Sequence, residues 1–190
     1  ALLIKGSLLS FDGDASGALV EYRKAIDAKP SYLAAHSAAI TSLLAANKVD
    51  DAVKQLEALK TVAPKHPQTF YFDGQVNYQR KEFKAAREPA QQLLRIAPNN
   101  PLALQLAGAI EFQLSSYLQA ETYLTKALQI APGLRLARQM LIASYLRAGQ
   151  PGKALDALQP VLGSIEKDSA LLALAGEAYL QHGDSNKATE

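Results

Sequence analysis

Apolar residues return every three or four positions along most of the chain, as in Leu102, Leu106, Ala109, Ile110 and Leu114. That is the spacing of one face of an α-helix. No Val/Ile/Thr-rich alternating run bounded by turn pairs is present, so nothing signals a strand. The pattern predicts an all-α chain of short helices in pairs. First helices are expected near 1–12, 34–46, 68–80, 102–114, 136–148 and 170–182. Second helices are expected near 16–29, 50–63, 84–97, 118–131 and 152–165, with a stub from about 186. Asp14, Asp50 and Asp184 stand at second-helix starts, where a short carboxylate can cap free N–H groups. Pro151 lies just inside another start. Pro89 and Pro160 fall inside second helices, where each removes a hydrogen bond and is expected to start or kink the helix.

The helix pairs repeat. Pro30, Pro64, Pro98 and Pro132 are 34 residues apart, and Ala18, Ala52, Ala86, Ala120, Ala154 and Ala188 keep the same beat. A third column, Gly6, Ile40, Gly74, Gly108, Ile142 and Gly176, is small or isoleucine, letting neighbouring backbones approach. A fourth, Tyr22, Leu56, Ala90, Leu124 and Leu158, supplies an apolar plug from the second helix. No single pair can bury its apolar stripe alone, so stability must come from stacking.

This period, with Ala175-Gly176 and Tyr179 in the sixth unit, resembles the tetratricopeptide repeat (TPR). The resemblance implies a right-handed α-α solenoid of about five and a half repeats in one domain, 1–190. Repeat boundaries fall near 1–32, 33–66, 67–100, 101–134, 135–168 and a truncated 169–190. In repeats three and four the tyrosine slot holds Asn77 and Glu111, with the rings one residue later at Tyr78 and Phe112. One residue turns a side chain by roughly 100° around the helix, away from the usual seam. In repeat five Glu166 stands where the closing proline is expected. Both ends of the sequence lie inside periodic segments, as expected of a piece of a longer protein whose raw ends fray or make contacts.

Composition narrows the function. The net charge is only +2; residues 1–95 carry 13 basic and 10 acidic side chains, and residues 96–190 carry 7 and 8. No basic stripe marks a nucleic-acid partner. The absence of cysteine removes disulfides, thiolate metal sites and cysteine nucleophiles. No apolar run is long enough to span a membrane, which leaves room for a lipid anchor elsewhere in a longer protein. No secretory signal opens the chain, since Lys5 follows the apolar residues instead of preceding them.

Candidate chemistry is sparse. Asp12–Gly17, D-G-D-A-S-G, resembles the opening of a calcium loop, but position twelve is Arg23 in place of the required Glu. It reads as an interhelix turn capped by Asp14. His36, His66 and His182 sit in different repeats and form no short-spacing metal site. Gly149–Lys153 lacks the spacing of a phosphate loop and reads as a turn. Arg80, Lys81, Lys84 and Arg87 alternate with Glu82 and Glu88, as on a solvated face. The expectation is no enzyme, no cofactor and no metal.

In the resembled family the first helices line a concave groove that takes a partner. Projected onto this sequence, the inward positions of repeats three to five are Tyr71, Phe72, Gln75, Tyr78 and Gln79, then Leu102, Gln105, Leu106, Phe112 and Gln113. After them come Leu136, Gln139, Met140 and Arg147. Aromatic, Met and Arg side chains among amides suit a protein interface. Family members that hold acidic chaperone tails use a Lys/Asn/Arg clamp. The matching positions here are Leu3 and Ser7, Ala34 and Ala38, Gln68 and Phe72, so that ligand is disfavoured.

Ala107–Leu114, Leu141–Pro151, Lys153–Pro160 and Leu172–Leu180 resemble the TPR lipoproteins of PEP-CTERM/exosortase protein sorting and exopolysaccharide production in Gram-negative bacteria. That resemblance implies a periplasmic or outer-membrane-associated, lipid-anchored assembly scaffold. The alternatives are a docking segment of a polysaccharide export complex or a generic cytoplasmic TPR adaptor.

Overall fold

The computed structural model describes residues 1–188. Among them are eleven α-helices and no strand. The chain divides after Ile96 into two compact units. The first holds α1 (Leu2–Phe11), α2 (Ala15–Ala28), α3 (Leu33–Ala45), α4 (Val49–Val62), α5 (Pro67–Gln79) and α6 (Phe83–Ile96). The second holds α7 (Pro101–Gln113), α8 (Tyr117–Ile130), α9 (Arg135–Arg147), α10 (Pro151–Leu158), a 3-10 segment (Gln159–Lys167) and α11 (Ser169–His182).

The periodic columns are the core. Ala18, Ala52, Ala86, Ala120 and Ala154 are all 0% exposed, so each marks a point where helices meet with no room for a larger side chain. Around them in the first unit pack Tyr22, Ile40, Leu56, Leu59, Phe72 and Val76. Leu124, Leu141, Ile142, Tyr145 and Leu158 do the same in the second. Each buried aliphatic side chain contributes about 1.5–3 kcal/mol over its exposed state. A Cβ on Gly6 would lie 2.5 Å from the Tyr22 ring, and one on Gly108 would lie 2.5 Å from Leu124 Cγ. The glycine-bearing pairs α1/α2, α5/α6 and α7/α8 accordingly meet more extensively than α3/α4, which carries isoleucine.

Helix ends hold another 34-residue column that the proline and alanine beats do not show. Gly13, Asn47, Lys81, Ser115, Gly149 and Gly183 all have positive φ, between 55° and 95°. Each comes after a first helix and reverses the chain into the next element. The N–H one residue later returns to a carbonyl five residues back, as in Asp14 to Leu9, Glu82 to Asn77 and Gln150 to Tyr145. This is the six-to-one bond of a Schellman turn.

Three expectations need correction. Asp50 is no cap: α4 starts at Val49 with Lys48 before it, and Asp50 sits in the first turn, where its charge favours the helix dipole. Pro89 does not interrupt α6, which runs through it; the carbonyl it leaves without a donor belongs to Ala85, an exposed residue that water reaches. Pro160 does more than kink: α10 ends at Leu158 and the chain continues as 3-10 helix. Asp14 accepts from Gly17 N at 2.8 Å and Pro151 opens α10, both as expected. Residues 185–188 form turns, and the rest of the stub expected near 186 lies outside the described residues. His66, Asn100 and Asp168 cap α5, α7 and α11.

Candidate functional site

In the first unit α3 lies beside both α1 and α5, so the three first helices form a row. Two register columns look outward from it: Leu3, Ser37 and Tyr71, then Ser7, Thr41 and Gln75, each set spaced by one repeat. Ser7 and Thr41 are exposed, and Leu3, Ser37, Tyr71 and Gln75 are half-buried. Gln75 Nε2 donates to the Tyr71 hydroxyl at 2.8 Å, which fixes both side chains on the same helix face. Burial pushes the Tyr71 phenol above its ordinary pKa, so it stays a neutral hydrogen-bonding group.

The other expected residues of this unit divide in role. Phe72 is 5% exposed and belongs to the core, supporting Tyr71 edge-on at 5.6 Å between ring centroids. Tyr78 is half-buried and meets Phe83, the first residue of α6, at 5.3 Å. Its shift by one residue therefore does not take it off the repeat; it clasps the second helix at its start. Gln79 donates to the Leu44 carbonyl at 3.0 Å and reaches Asn47 Oδ1 at 3.5 Å, satisfying the end of α3.

In the second unit Leu106 is buried, and Phe112 packs on the core beside Tyr117 at 5.8 Å, repeating the Tyr78–Phe83 clasp. Met140 packs on the core as well. Gln139 Nε2 donates to both carboxylate oxygens of Asp168 at 3.0 Å, holding the residue that caps α11. Gln105 is half-buried, while Gln113 and Arg147 are exposed. Leu102 and Leu136, one repeat apart, are 46% and 52% exposed.

Among the buried polar residues, His36 and Arg138 have structural roles that the sequence reading did not assign. His36 is 1% exposed, with Nε2 on the Pro30 carbonyl at 2.8 Å and Nδ1 receiving Gln55 Nε2 at 2.7 Å. Arg138 donates to the carbonyls of Pro132 and Ala157, both at 3.1 Å. Both structure the repeat. The basic cluster is a solvated turn, as expected, with Arg80 and Glu82 2.9 Å apart. No three His, Asp or Glu side chains among the described residues come together as metal ligands would. No helix there is long and apolar enough to cross a membrane.

The repeat seen in sequence and the repeat seen in space coincide, and residues 37–101 match the family model for the tetratricopeptide repeat. No curated protein matches the chain. Solved structures share the fold at low identity. A MamA protein aligns at TM-score 0.67 and 20% identity, over 88% of this chain and 92% of that one. The Pseudomonas aeruginosa pilF structure aligns at 0.82 and 16%, over 99% and 86%. YrrB, a TPR protein with an unusual peptide-binding site, aligns at 0.68 and 18%, over 88% and 86%. At these identities the likeness carries the fold alone. Tetratricopeptide-repeat proteins are in general protein-interaction scaffolds.

Proposed function

We propose that this chain is a non-catalytic scaffold that takes a protein or peptide partner on the open face of its first helices. The observation that carries the reading is the Tyr71–Gln75 pair. Its large neutral ring is held by a 2.8 Å hydrogen bond and backed by buried Phe72, yet it stays accessible to a partner. An aromatic anchor whose rotamer is already fixed loses little entropy on binding. Gln68 and Thr41 extend the neutral polar surface around it. The stretches that resemble PEP-CTERM-system lipoproteins support a setting in the bacterial envelope, periplasmic or outer-membrane-associated, where the scaffold assembles sorting or exopolysaccharide machinery.

The test is site-directed photo-cross-linking. With benzoylphenylalanine in place of Tyr71, a partner adduct is expected from cells of the native host. The same group at Glu57, exposed on α4, should give none. Equal adducts at both positions, or none at Tyr71, would remove this face from the function.

A further inference from the structure

The first helices of the first unit carry only two ionised side chains, Lys5 and Asp73. These occupy the same position of the repeat, 68 residues apart. Both are consumed: Lys5 Nζ lies 3.0 Å from Glu21 of α2, and Asp73 lies 3.2 Å from Lys60 of α4 while also accepting Asn77 Nδ2 at 3.0 Å. Two residues along a helix is about 160° of rotation the short way round, so this column points away from Ser7, Thr41 and Gln75. The second helices of the same unit hold thirteen ionised residues. Charge has been partitioned onto them, and the face of α1, α3 and α5 is left with hydroxyls, amides, Leu3 and the Tyr71 ring.

We infer that this face is selective for an uncharged, extended peptide segment. The inference rests on the interaction reading above and adds the chemistry of the partner. An ionised ligand group laid on this face would lose water without meeting a counter-charge, a cost that neutral polar groups escape. The Ser7 and Ser37 hydroxyls donate to the carbonyls of Leu3 and Leu33 and keep lone pairs for peptide N–H groups; the Tyr71 hydroxyl accepts from Gln75 and keeps its O–H for a peptide carbonyl. Packed helices stand about 8–10 Å apart, which puts α1 and α5 about 16–20 Å apart. Extended chain rises about 3.3 Å per residue, so the row accommodates about five or six residues.

The experiment pans a phage library of random dodecapeptides on the full chain at low and high salt. Two variants serve as parallel targets: the Tyr71→Ala/Gln75→Ala double variant, and Thr41→Lys, which adds a charge at an exposed position and leaves the core untouched. The expected result is a pool depleted in Asp, Glu, Lys and Arg relative to input, binding equally at both salts. Its affinity should fall about tenfold or more on the double variant, in keeping with loss of an interface anchor. Thr41→Lys should shift selection toward acidic peptides. A charged, salt-sensitive pool that still depends on Tyr71 would overturn the inference and leave the interaction reading standing. A pool indifferent to both variants, or no enrichment, would overturn both. Displacement of the selected peptides by maltohexaose would overturn the peptide assignment in favour of a neutral saccharide.

Discussion

His36 in the first unit and Arg138 in the second occupy the same position of the repeat, three periods apart, and solve the same problem differently. Each reaches back six residues to the carbonyl of a column proline, Pro30 or Pro132. Each also reaches residue i+19 on its second helix. For His36 that group is the Gln55 side chain. For Arg138 it is the backbone carbonyl of Ala157. The difference originates in the second helices. The neutral imidazole spends its one N–H on the Pro30 carbonyl, so Nδ1 needs a donor, and in the regular helix α4 every inner N–H is already in the helix ladder, which leaves the Gln55 amide to supply it. In the second unit Pro160 ends α10, and a 3-10 bond to Ala157 would need an N–H that Pro160 lacks. The guanidinium supplies a donor at that carbonyl. A repeat tolerates a broken helix when the residue facing the break carries enough donors.

This comparison is broken most severely by Arg138→Ala. It takes the charged donor from the carbonyls of Pro132, an exposed residue, and Ala157, a half-buried one; at the lower end of roughly 1.5–3 kcal/mol for each such bond, about 3 kcal/mol in total is expected in urea denaturation. The sharper experiment repeats the substitution in a Pro160→Ala background. With an N–H restored at position 160, Arg138→Ala should cost about 1 kcal/mol less, and far-UV circular dichroism should gain helix. Strict additivity would show that the arginine answers the proline column alone.

His36→Ala comes next, with an expected loss of about 2 kcal/mol, since it exposes the Pro30 carbonyl and the Gln55 amide to an unfilled pocket. Gln55→Leu should cost less, about 1 kcal/mol, because it strands only one ring nitrogen. A larger loss for Gln55→Leu than for His36→Ala would reverse the assigned roles.

The two units also differ in how much of them is legible in the sequence. The 34-residue beat placed every complete helix but one within a residue, because prolines, buried alanines and the glycine/isoleucine column are local steric demands repeated without gaps. The exception was α10. Proline alone did not decide it, since Pro89 is carried inside α6 and Pro160 is not. The residues C-terminal to each proline make the difference: Ala90-Gln91-Gln92-Leu93-Leu94 are good helix formers, whereas Val161-Leu162-Gly163 includes a β-branched residue and a glycine. The interaction face was legible only in part. Phe72 and Leu106 sit on the helix stripe expected to face a partner, but periodicity cannot separate a wall residue from the core residue behind it. The roles of Gln79 and Gln139 depend on carbonyl and carboxylate partners 35 and 29 residues away, which no local pattern announces.

The positive-φ column gives smaller, stabilising changes. Lys81 and Ser115 hold φ of 64° and 58° where three other repeats use glycine. A side chain costs about 1–2 kcal/mol in that region, and glycine gives back part of the gain through a freer unfolded chain. Lys81→Gly and Ser115→Gly should therefore each stabilise by about 0.5–1 kcal/mol, and Gly149→Ala should destabilise by about as much. Thermal melts of the three variants would check the column in both units, and a loss of stability in either glycine variant would deny that these turns are strained.

The smallest effect expected is an acid-side softening confined to the first unit. Glu21 is buried, and its carboxylate receives Lys24 Nζ and Lys5 Nζ, both at 3.0 Å. The hydrogen bond from Lys24, then that from Lys5, hold its carboxyl below the usual value near 4.5, against the opposing effect of burial. The unfolded chain therefore binds this proton more readily than the folded one. By linkage the pairing stabilises fully above the unfolded carboxyl's pKa and is lost as pH falls through the lowered folded value. Glu21→Gln should flatten the decline in stability below about pH 4.5 while weakening the protein modestly at neutral pH. The pairing of Glu121 with Lys153 in the second unit, at 3.1 Å and on a more exposed carboxylate, is more strongly screened by water. Equal slopes for wild type and Glu21→Gln in melts between about pH 3 and 7 would show that the Lys5–Glu21–Lys24 contact carries no folding energy.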